Sequence, residues 1–150
     1  MKKYIAWTKW EIDDAGRRVD PRNGNAYWIG NGAHIHRGAI IEPGAVIGYR
    51  AAIGAGARVG KRVIIGYQAM IDERAYIGDW TCIEPEAYIG DGAIIGCRAR
   101  IGEGAEVGAW ATIGGRAKIG YGAHIAPNAQ IPEKAIVVHE TYIFAKDSEE

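Results

Sequence analysis

Residues 47–66 read IGYRAAIGAGARVGKRVIIG, and an aliphatic side chain returns at every sixth position of this stretch. The same period extends in both directions without insertion or deletion. It comprises Ile29, Ile35, Ile41, Ile47, Ile53, Val59, Ile65, Ile71, Ile77, Ile83, Ile89, Ile95, Ile101, Val107, Ile113, Ile119, Ile125, Ile131 and Val137. Four residues after each aliphatic residue comes a small one, which is Ala except at Val63, Thr81 and Thr141.

A period of six fits no α-helix, because an α-helix repeats every 3.6 residues. β-Branched residues punctuated by glycine instead predict very short strands joined by tight corners. The chain has 22 Gly, many of them directly after the aliphatic residue, as in Ile47-Gly48 and Ile53-Gly54. We expect the aliphatic side chains to point inward and the small ones to fill corners, where a larger residue would overpack.

This pattern resembles the hexapeptide-repeat family, many of whose members are acyltransferases. The resemblance implies an all-β fold, a single-stranded left-handed parallel β-helix with three hexads in each triangular coil. Residues 29–142 would then form about six coils, an exception to the usual right-handed crossover. The resemblance also implies a homotrimer with parallel helix axes.

Residues 1–28 and 143–150 lie outside this period. We expect a strand from Tyr4 to Ile12, a turn over 13–16 and a return over Arg17 to Asp20. These segments would form an N-terminal strand and turn cap over residues 1–28, since the open end of a solenoid needs covering. Residues 143–150 are expected to form a short C-terminal tail.

Composition excludes several classes of protein. Cys82 and Cys97 lack the spacing of a disulfide framework or a zinc site, so we expect reduced thiols and no metal. The 18 Lys+Arg balance the 18 Asp+Glu, which argues against a nucleic-acid partner. No apolar run reaches the ~18 residues of a membrane span, and the N-terminal apolar stretch is too short for a signal peptide. We therefore expect a cytoplasmic protein without a membrane partner.

Residues 18 apart are expected to be neighbours on adjacent coils and to form ladders on the surface. One ladder begins with four apolar residues, Trp28, Val46, Ile64 and Cys82. Outward apolar side chains in a row indicate that something covers them, either the N-terminal segment or another subunit. Further apolar residues on a second face, such as Ile40, Tyr76 and Ile94, favour the subunit.

A second ladder, at a corner, is basic. It consists of Arg62, Trp80, Arg98, Arg116 and Lys134, with Arg100 and Lys118 two residues beyond its members. Stacked like charges repel, so they are either neutralised by Glu84, Glu103 and Glu133 or hold a small anionic or CoA-type ligand. By the resemblance, Arg98, Arg100, Arg116 and Lys118 would bind the phosphates of acyl-CoA.

Glu106 and His124 are also 18 residues apart. A carboxylate beside an imidazole can orient it as the general base that acyl transfer requires, although the same pair is common on protein surfaces. Known hexapeptide acyltransferases often carry the catalytic histidine at the third place of a hexad. In this sequence only His139 stands at the third place of a hexad, and it lies on the last, incomplete coil. In the two hexads that otherwise resemble the family motif most, Pro127 and Glu73 occupy the place of the catalytic histidine.

Two functions of different class follow. The first is transfer of an acyl (acetyl) group from acyl-CoA to a small hydroxyl or amine acceptor, with His124 and Glu106 as catalytic residues. The second is a non-catalytic trimeric β-helix that serves as a structural or adaptor protein. Its support is the uninterrupted regularity of the repeat, since function in solenoids is usually carried by inserted loops.

Overall fold

The computed structural model describes residues 3–145, and its parallel sheets form the three faces of a triangular left-handed β-helix. The predicted fold class is confirmed. The first face contains β1 (Arg18–Val19), β2 (Ala26–Ile29), β5 (Val46–Ile47), β8 (Ile64–Ile65), β11 (Cys82–Ile83), β14 (Arg100–Ile101), β17 (Lys118–Ile119) and β20 (Ile136–Val137).

The other two faces are built in the same way. The second face contains β3 (His34–Ile35), β6 (Ala52–Ile53), β9 (Met70–Ile71), β12 (Tyr88–Ile89), β15 (Glu106–Val107), β18 (His124–Ile125) and β21 (Tyr142–Ile143). The third face contains β4 (Ile40–Ile41), β7 (Arg58–Val59), β10 (Tyr76–Ile77), β13 (Ile94–Ile95), β16 (Thr112–Ile113) and β19 (Gln130–Ile131). Residues 146–150 of the expected tail lie outside the described residues.

The register is the one that the sequence predicts. Ile47 pairs with Ile65 on the first face, and Ile77 with Ile95 on the third, so each coil takes 18 residues. The inward aliphatic side chains form continuous buried ladders, and the small corner residues are buried with them. Thr81, which replaces alanine at a corner, is accommodated because its hydroxyl donates a hydrogen bond of 2.9 Å to the Gly96 carbonyl.

The corners use a backbone conformation that L-residues seldom adopt. Among residues 3–145, twelve residues other than glycine have φ between 55° and 66°. They are Arg50, Arg62, Gln68, Arg74, Trp80, Glu86, Arg98, Trp110, Arg116, Asn128, Lys134 and Glu140. Each such residue costs about 1 kcal/mol. At Arg98 the amide donates to the Asp79 carbonyl on the preceding coil at 2.9 Å, which offsets this cost.

The N-terminal segment covers the first coil, but not as the continuous strand expected from Tyr4 to Ile12. Residues Trp7–Lys9 form a turn of 3-10 helix instead, and Tyr4 and Ile12 make only isolated bridges. A tertiary contact explains this departure from a strand, because Trp7 is buried and its indole N–H donates to the Ala33 carbonyl at 3.0 Å. The expected return is present as β1, which pairs antiparallel with β2.

A buried polar network fixes this cap. Asp20 and Tyr27 are both fully buried, and the Tyr27 hydroxyl donates to Asp20 Oδ2 at 2.7 Å. The Arg22 guanidinium binds the same carboxylate, with its Nη2 2.6 Å from Oδ2. The Arg22 amide adds a hydrogen bond of 2.9 Å to Oδ1. The carboxylate is therefore satisfied by charged and neutral donors together.

Candidate functional site

The apolar ladder of the first face is incompletely covered by the described residues. The Trp28 ring lies against Gly16 of the cap, yet Trp28 remains 42% exposed. Ile64 is 49% exposed, and on the third face Ile94 is 48% exposed. These two faces therefore present apolar surface that the described residues leave open.

The basic residues differ in how they are partnered. Arg100 forms an ion pair with Glu84, Nη2 to Oε2 at 2.5 Å, and this hydrogen-bonded carboxylate raises the pKa of the Arg100 guanidinium. Within residues 3–145, Arg98, Arg116 and Lys118 form no ion pair. The expected neutralisation thus applies to Arg100 alone, since Glu103 and Glu133 also lack an ion pair there.

A shallow groove of about 540 Å³ lies on the first face beside these residues. Arg100 and Lys118 form its polar side, and Ile136 forms part of its apolar floor. Tyr121 and His139, at the corner between the first and second faces, form its other wall. Glu84, which pairs with Arg100, and Glu103 also line the groove, so its two cations are balanced by two carboxylates and Lys118 is the cation left without an ion pair among the described residues.

The predicted pair of His124 and Glu106 is brought together on the second face. His124 Nδ1 lies 3.3 Å from Glu106 Oε1, and both side chains are exposed. A carboxylate on this side of the ring favours the neutral tautomer that carries its proton on Nδ1, and in that tautomer Nε2 is unprotonated. The Tyr142 ring stacks on the imidazole, with centroids 5.6 Å apart and planes 17° from parallel. An imidazole placed beside a carboxylate is chemically able to accept a proton at Nε2.

His139 has the opposite tautomer. Its Nδ1 accepts a hydrogen bond of 3.0 Å from the Tyr121 amide, so the neutral ring carries its proton on Nε2. The two rings also pack at 4.3 Å. His139 therefore presents a hydrogen-bond donor, although the family pattern would favour it as the base. The sequence contains no signal for this difference.

Tyr88 is a polar group of the second face that sequence reasoning left without a role. Its hydroxyl donates to Asp72 Oδ2 at 2.7 Å, and this hydrogen bond raises the pKa of Tyr88 to about 12. Tyr88 pairs in register with Glu106 on the next coil. A protonated phenol therefore stands one coil from the Glu106 carboxylate. Its place in the ladder was visible in the sequence, but its bond to Asp72 depends on side-chain conformation.

The six predicted site residues lie on two successive coils, residues 98–133, but not in one pocket. Arg98 and Arg116 lie at the corner between the third and first faces, and Arg100 and Lys118 on the first face. Glu106 and His124 lie around the next corner, on the second face. The arrangement is a band that crosses the prism, with cations at one end and the imidazole at the other.

Two further results bear on the kind of site. In residues 3–145 no three His, Cys, Asp or Glu side chains are grouped so that they could hold a metal ion. Among the same residues no helix is long and apolar enough to cross a membrane.

Comparison with known proteins identifies the repeat. Residues 98–133 match the family model of the bacterial transferase hexapeptide, six repeats, on the same two coils that carry the band. The resemblance to the hexapeptide-repeat family is thereby confirmed. No protein in the curated set matches this chain.

Solved structures share the architecture. A hexapeptide transferase family protein from Anaplasma phagocytophilum has a TM-score of 0.73 at 23% identity, over 78% of this chain and 72% of that chain. A mutant GDP-perosamine N-acetyl transferase from Caulobacter crescentus, in complex with CoA and GDP-perosamine, has a TM-score of 0.65 at 19% identity, over 74% and 54%. The acetyltransferase domain of PglB from Neisseria gonorrhoeae has a TM-score of 0.53 at 26% identity, over 71% and 54%. The aligned part is thus about half of each of these two acetyltransferase chains.

Proposed function

We propose that this protein is an acyltransferase that moves an acyl group, such as acetyl, from acyl-CoA to a hydroxyl or amine of a small acceptor. The observation that carries the proposal is the contact of 3.3 Å between His124 Nδ1 and Glu106 Oε1, an arrangement that would leave His124 Nε2 to act as the base. The unpaired cations on the same two coils support it, as do acetyltransferases among the structural neighbours, one crystallised with CoA.

In this mechanism Glu106 would orient the His124 imidazole by accepting a hydrogen bond from Nδ1–H. His124 Nε2 takes the proton of the acceptor O–H or N–H while the oxygen or nitrogen attacks the thioester carbonyl carbon. The new C–O or C–N bond forms and the C–S bond breaks. The imidazolium returns its proton to the departing thiolate, which leaves His124 neutral. General base catalysis of this kind contributes typically 10²–10⁴-fold to the rate.

The cations would hold the phosphates of the donor. Arg98, Arg116 and Lys118 are free of ion pairs among the described residues, so their charge is available to an anion. Arg100 is already paired with Glu84 and would contribute less. The apolar floor of the first-face groove lies between these cations and the corner at Tyr121, on the way to His124.

The test compares the two histidines. Thiol release from acetyl-CoA is measured with a panel of amino sugars and hydroxyl acceptors. His124→Ala is expected to lower the acceptor-dependent rate at least ~100-fold. His34→Ala is the matched control, because His34 lies on the same face as His124 but on the first coil, and it should leave the rate within about threefold. Equal rates for His124→Ala and the unaltered protein would remove His124 from the mechanism.

The uncovered apolar surface supports assembly as a homotrimer. Burial of the exposed half of side chains such as Ile64 and Ile94 against another copy would be favourable by ~1 kcal/mol each. We expect Ile94→Glu to shift the protein to monomer in sedimentation at micromolar concentration. Tyr49→Glu, at an exposed corner, is the control and should leave assembly unchanged. A monomeric unaltered protein would contradict the assignment of these faces.

The second candidate function, a non-catalytic structural or adaptor trimer, is favoured by one observation. The strands follow each other at constant spacing from β3 to β21, with no inserted loop among the described residues. Absence of a thermal shift with millimolar acetyl-CoA, together with no acceptor-dependent thiol release, would favour this function. Free Cys82 and Cys97 fit the reducing cytoplasm, where we place the protein in either case.

A further inference from the structure

We propose that Tyr142 is a positioning residue for His124. Its ring, stacked on the imidazole, fixes the plane of the imidazole, while Glu106 selects which edge of the imidazole faces the carboxylate. This inference rests on the proposed function and makes it more specific. It gives β21 a part in the reaction, although Tyr142 is assigned no contact with the donor or the acceptor.

The register of the coils brings the two rings together. Tyr142 is the partner of His124 in the parallel pairing of β18 with β21. The His124 amide donates to the Thr141 carbonyl at 2.8 Å, and the Ala126 amide donates to the Ile143 carbonyl at 2.8 Å. These two hydrogen bonds hold the backbone of β21 on both sides of Tyr142. Its side chain therefore leaves the second face directly beside the imidazole, ~4.8 Å further along the prism.

The contact between the two rings is a stack. The centroids of His124 and Tyr142 are 5.6 Å apart, and their planes are 17° from parallel. An offset parallel arrangement of this kind is one of the favourable geometries of an aromatic pair. The Phe144 ring packs on Tyr142 in turn, with centroids 4.6 Å apart and planes at 38°. Contacts with two rings restrict the rotation of the Tyr142 side chain.

His124 needs such a restraint because the core does not supply one. Its side chain is 44% exposed, and rotation about χ2 of a histidine is broad and roughly two-fold. Stacking on Tyr142 favours one plane of the imidazole, but it allows two orientations that differ by a half-turn about χ2. The contact of 3.3 Å between Nδ1 and Glu106 distinguishes them, since a half-turn would bring Cδ2 to the carboxylate instead. The two neighbours therefore supply complementary restraints.

The same arrangement leaves His124 open to an acceptor. Glu106 lies on the preceding coil and Tyr142 on the following coil, so the acceptor approaches from the outer side of the second face. The trimer contact is assigned to the first and third faces, and the second face stays accessible in such an assembly. A general base must lie within hydrogen-bond reach of the proton that it takes. Loss of the stack would lower the fraction of molecules in which Nε2 is presented correctly.

The first experiment measures kcat and KM separately for variants of Tyr142 in the full chain. An aromatic pair is worth about a three- to tenfold change in a population, so Tyr142→Ala is expected to lower kcat by about this factor. The KM for acetyl-CoA and for the acceptor should change less than about twofold, because ground-state binding is not altered.

Two further variants separate the ring of Tyr142 from its place in the strand. Tyr142→Thr keeps a residue that favours strands but removes the ring, and it should lower kcat as Tyr142→Ala does. Tyr142→Phe keeps the ring and should restore kcat to within about twofold of the unaltered protein. Tyr67→Ala is the control, because it removes another exposed tyrosine ring three coils before Tyr121 and should leave kcat unchanged. Circular dichroism checks that each variant is folded.

The second experiment does not depend on catalysis. NMR of the full chain without donor or acceptor follows the ring-proton and ¹⁵N shifts of His124. Tyr142→Thr should move the ring-proton shifts, since the ring current of the tyrosine is lost, and should lower the fraction of the Nδ1–H tautomer. Tyr142→Phe should retain both signals. Glu106→Gln should lower the tautomer fraction and leave the ring-proton shifts nearly unchanged, because the stack persists.

Three outcomes would overturn the inference: the same tautomer fraction in Tyr142→Thr as in the unaltered protein, an unchanged kcat in Tyr142→Thr, or a raised KM with unchanged kcat. The last would mean that Tyr142 binds a substrate. Failure of the proposed function is distinguishable from these outcomes. Acyl transfer that depends on His124 but not on Tyr142 removes the inference alone. An imidazole oriented by Tyr142 in a protein without acyl transfer removes the proposed function and leaves the positioning role.

Discussion

Replacing Gly66 with alanine is expected to lower the free energy of unfolding by about 4 kcal/mol or more. A Cβ at this position would lie 2.4 Å from the Pro85 nitrogen and 2.8 Å from the Glu84 carbonyl carbon. Both are backbone atoms of the adjacent coil, so no side chain can rotate away. The clash can be relieved only by separating two coils, which would also stretch the Gly66 amide's hydrogen bond to the Ile83 carbonyl, 2.7 Å long.

Gly104→Ala is the control for this prediction. Gly104 has φ of +67°, but nothing lies within 4 Å of its Cβ position. Only the cost of the left-handed conformation remains, about 1 kcal/mol. Urea unfolding followed by circular dichroism would measure both variants. Similar losses of unfolding free energy in the two variants would show that a clash between coils is not the reason why position 66 requires glycine.

Asp20→Ala is expected to destabilise the protein by about 3 kcal/mol, because it leaves the fully buried Tyr27 hydroxyl without its acceptor and removes the ion pair with the partly exposed Arg22 guanidinium. Asp20 is fully buried and binds both Arg22 and the Tyr27 hydroxyl. Tyr27→Phe is the matched control and should cost less, about 1–3 kcal/mol, because the ion pair with Arg22 survives. Thermal unfolding of the three proteins at neutral pH would measure the order, and an equal loss for both variants would contradict the role of the ion pair.

The stability that the network of Asp20, Arg22 and Tyr27 contributes is expected to fall at low pH. Burial by itself raises the pKa of Asp20, but the hydrogen bonds from Arg22 and Tyr27 outweigh it and hold that pKa below its ordinary value of 3.8. A carboxyl with a lowered folded pKa stabilises the fold fully above its unfolded pKa and loses this effect as pH falls through the folded one. The unaltered protein should therefore lose more stability than Asp20→Ala as the pH is lowered below about 3.8.

The sequence predicts the coil register because the pattern is repeated so often that one slip would turn every inward aliphatic side chain outward. From that register follow the neighbours of His124 and the row from Arg62 to Lys134, both of which the structure shows. The register does not predict side-chain conformations. Arg100 pairs with Glu84 while Arg98 and Arg116 stay without an ion pair, and nothing in the six-residue pattern distinguishes them.

The N-terminal cap shows a second limit. Residues 4–12 alternate well enough to predict a strand, but the burial of Trp7 and its bond to the Ala33 carbonyl favour a 3-10 turn. That contact joins residues 26 positions apart in the sequence, so a local sequence pattern does not predict it. The same holds for the tautomer of His139, which is fixed by the Tyr121 amide on the preceding coil.

The constant 18-residue register also restricts how such a chain can change its length. Duplicating or deleting one whole coil keeps each side chain on its face, whereas a change of six residues would rotate everything downstream by one face. Glu106 and His124 would then remain neighbours only if the change fell outside the segment between them. Insertions and deletions that keep every side chain on its face must therefore comprise whole coils. Those that also keep a surface pair together must fall outside the segment between its two residues.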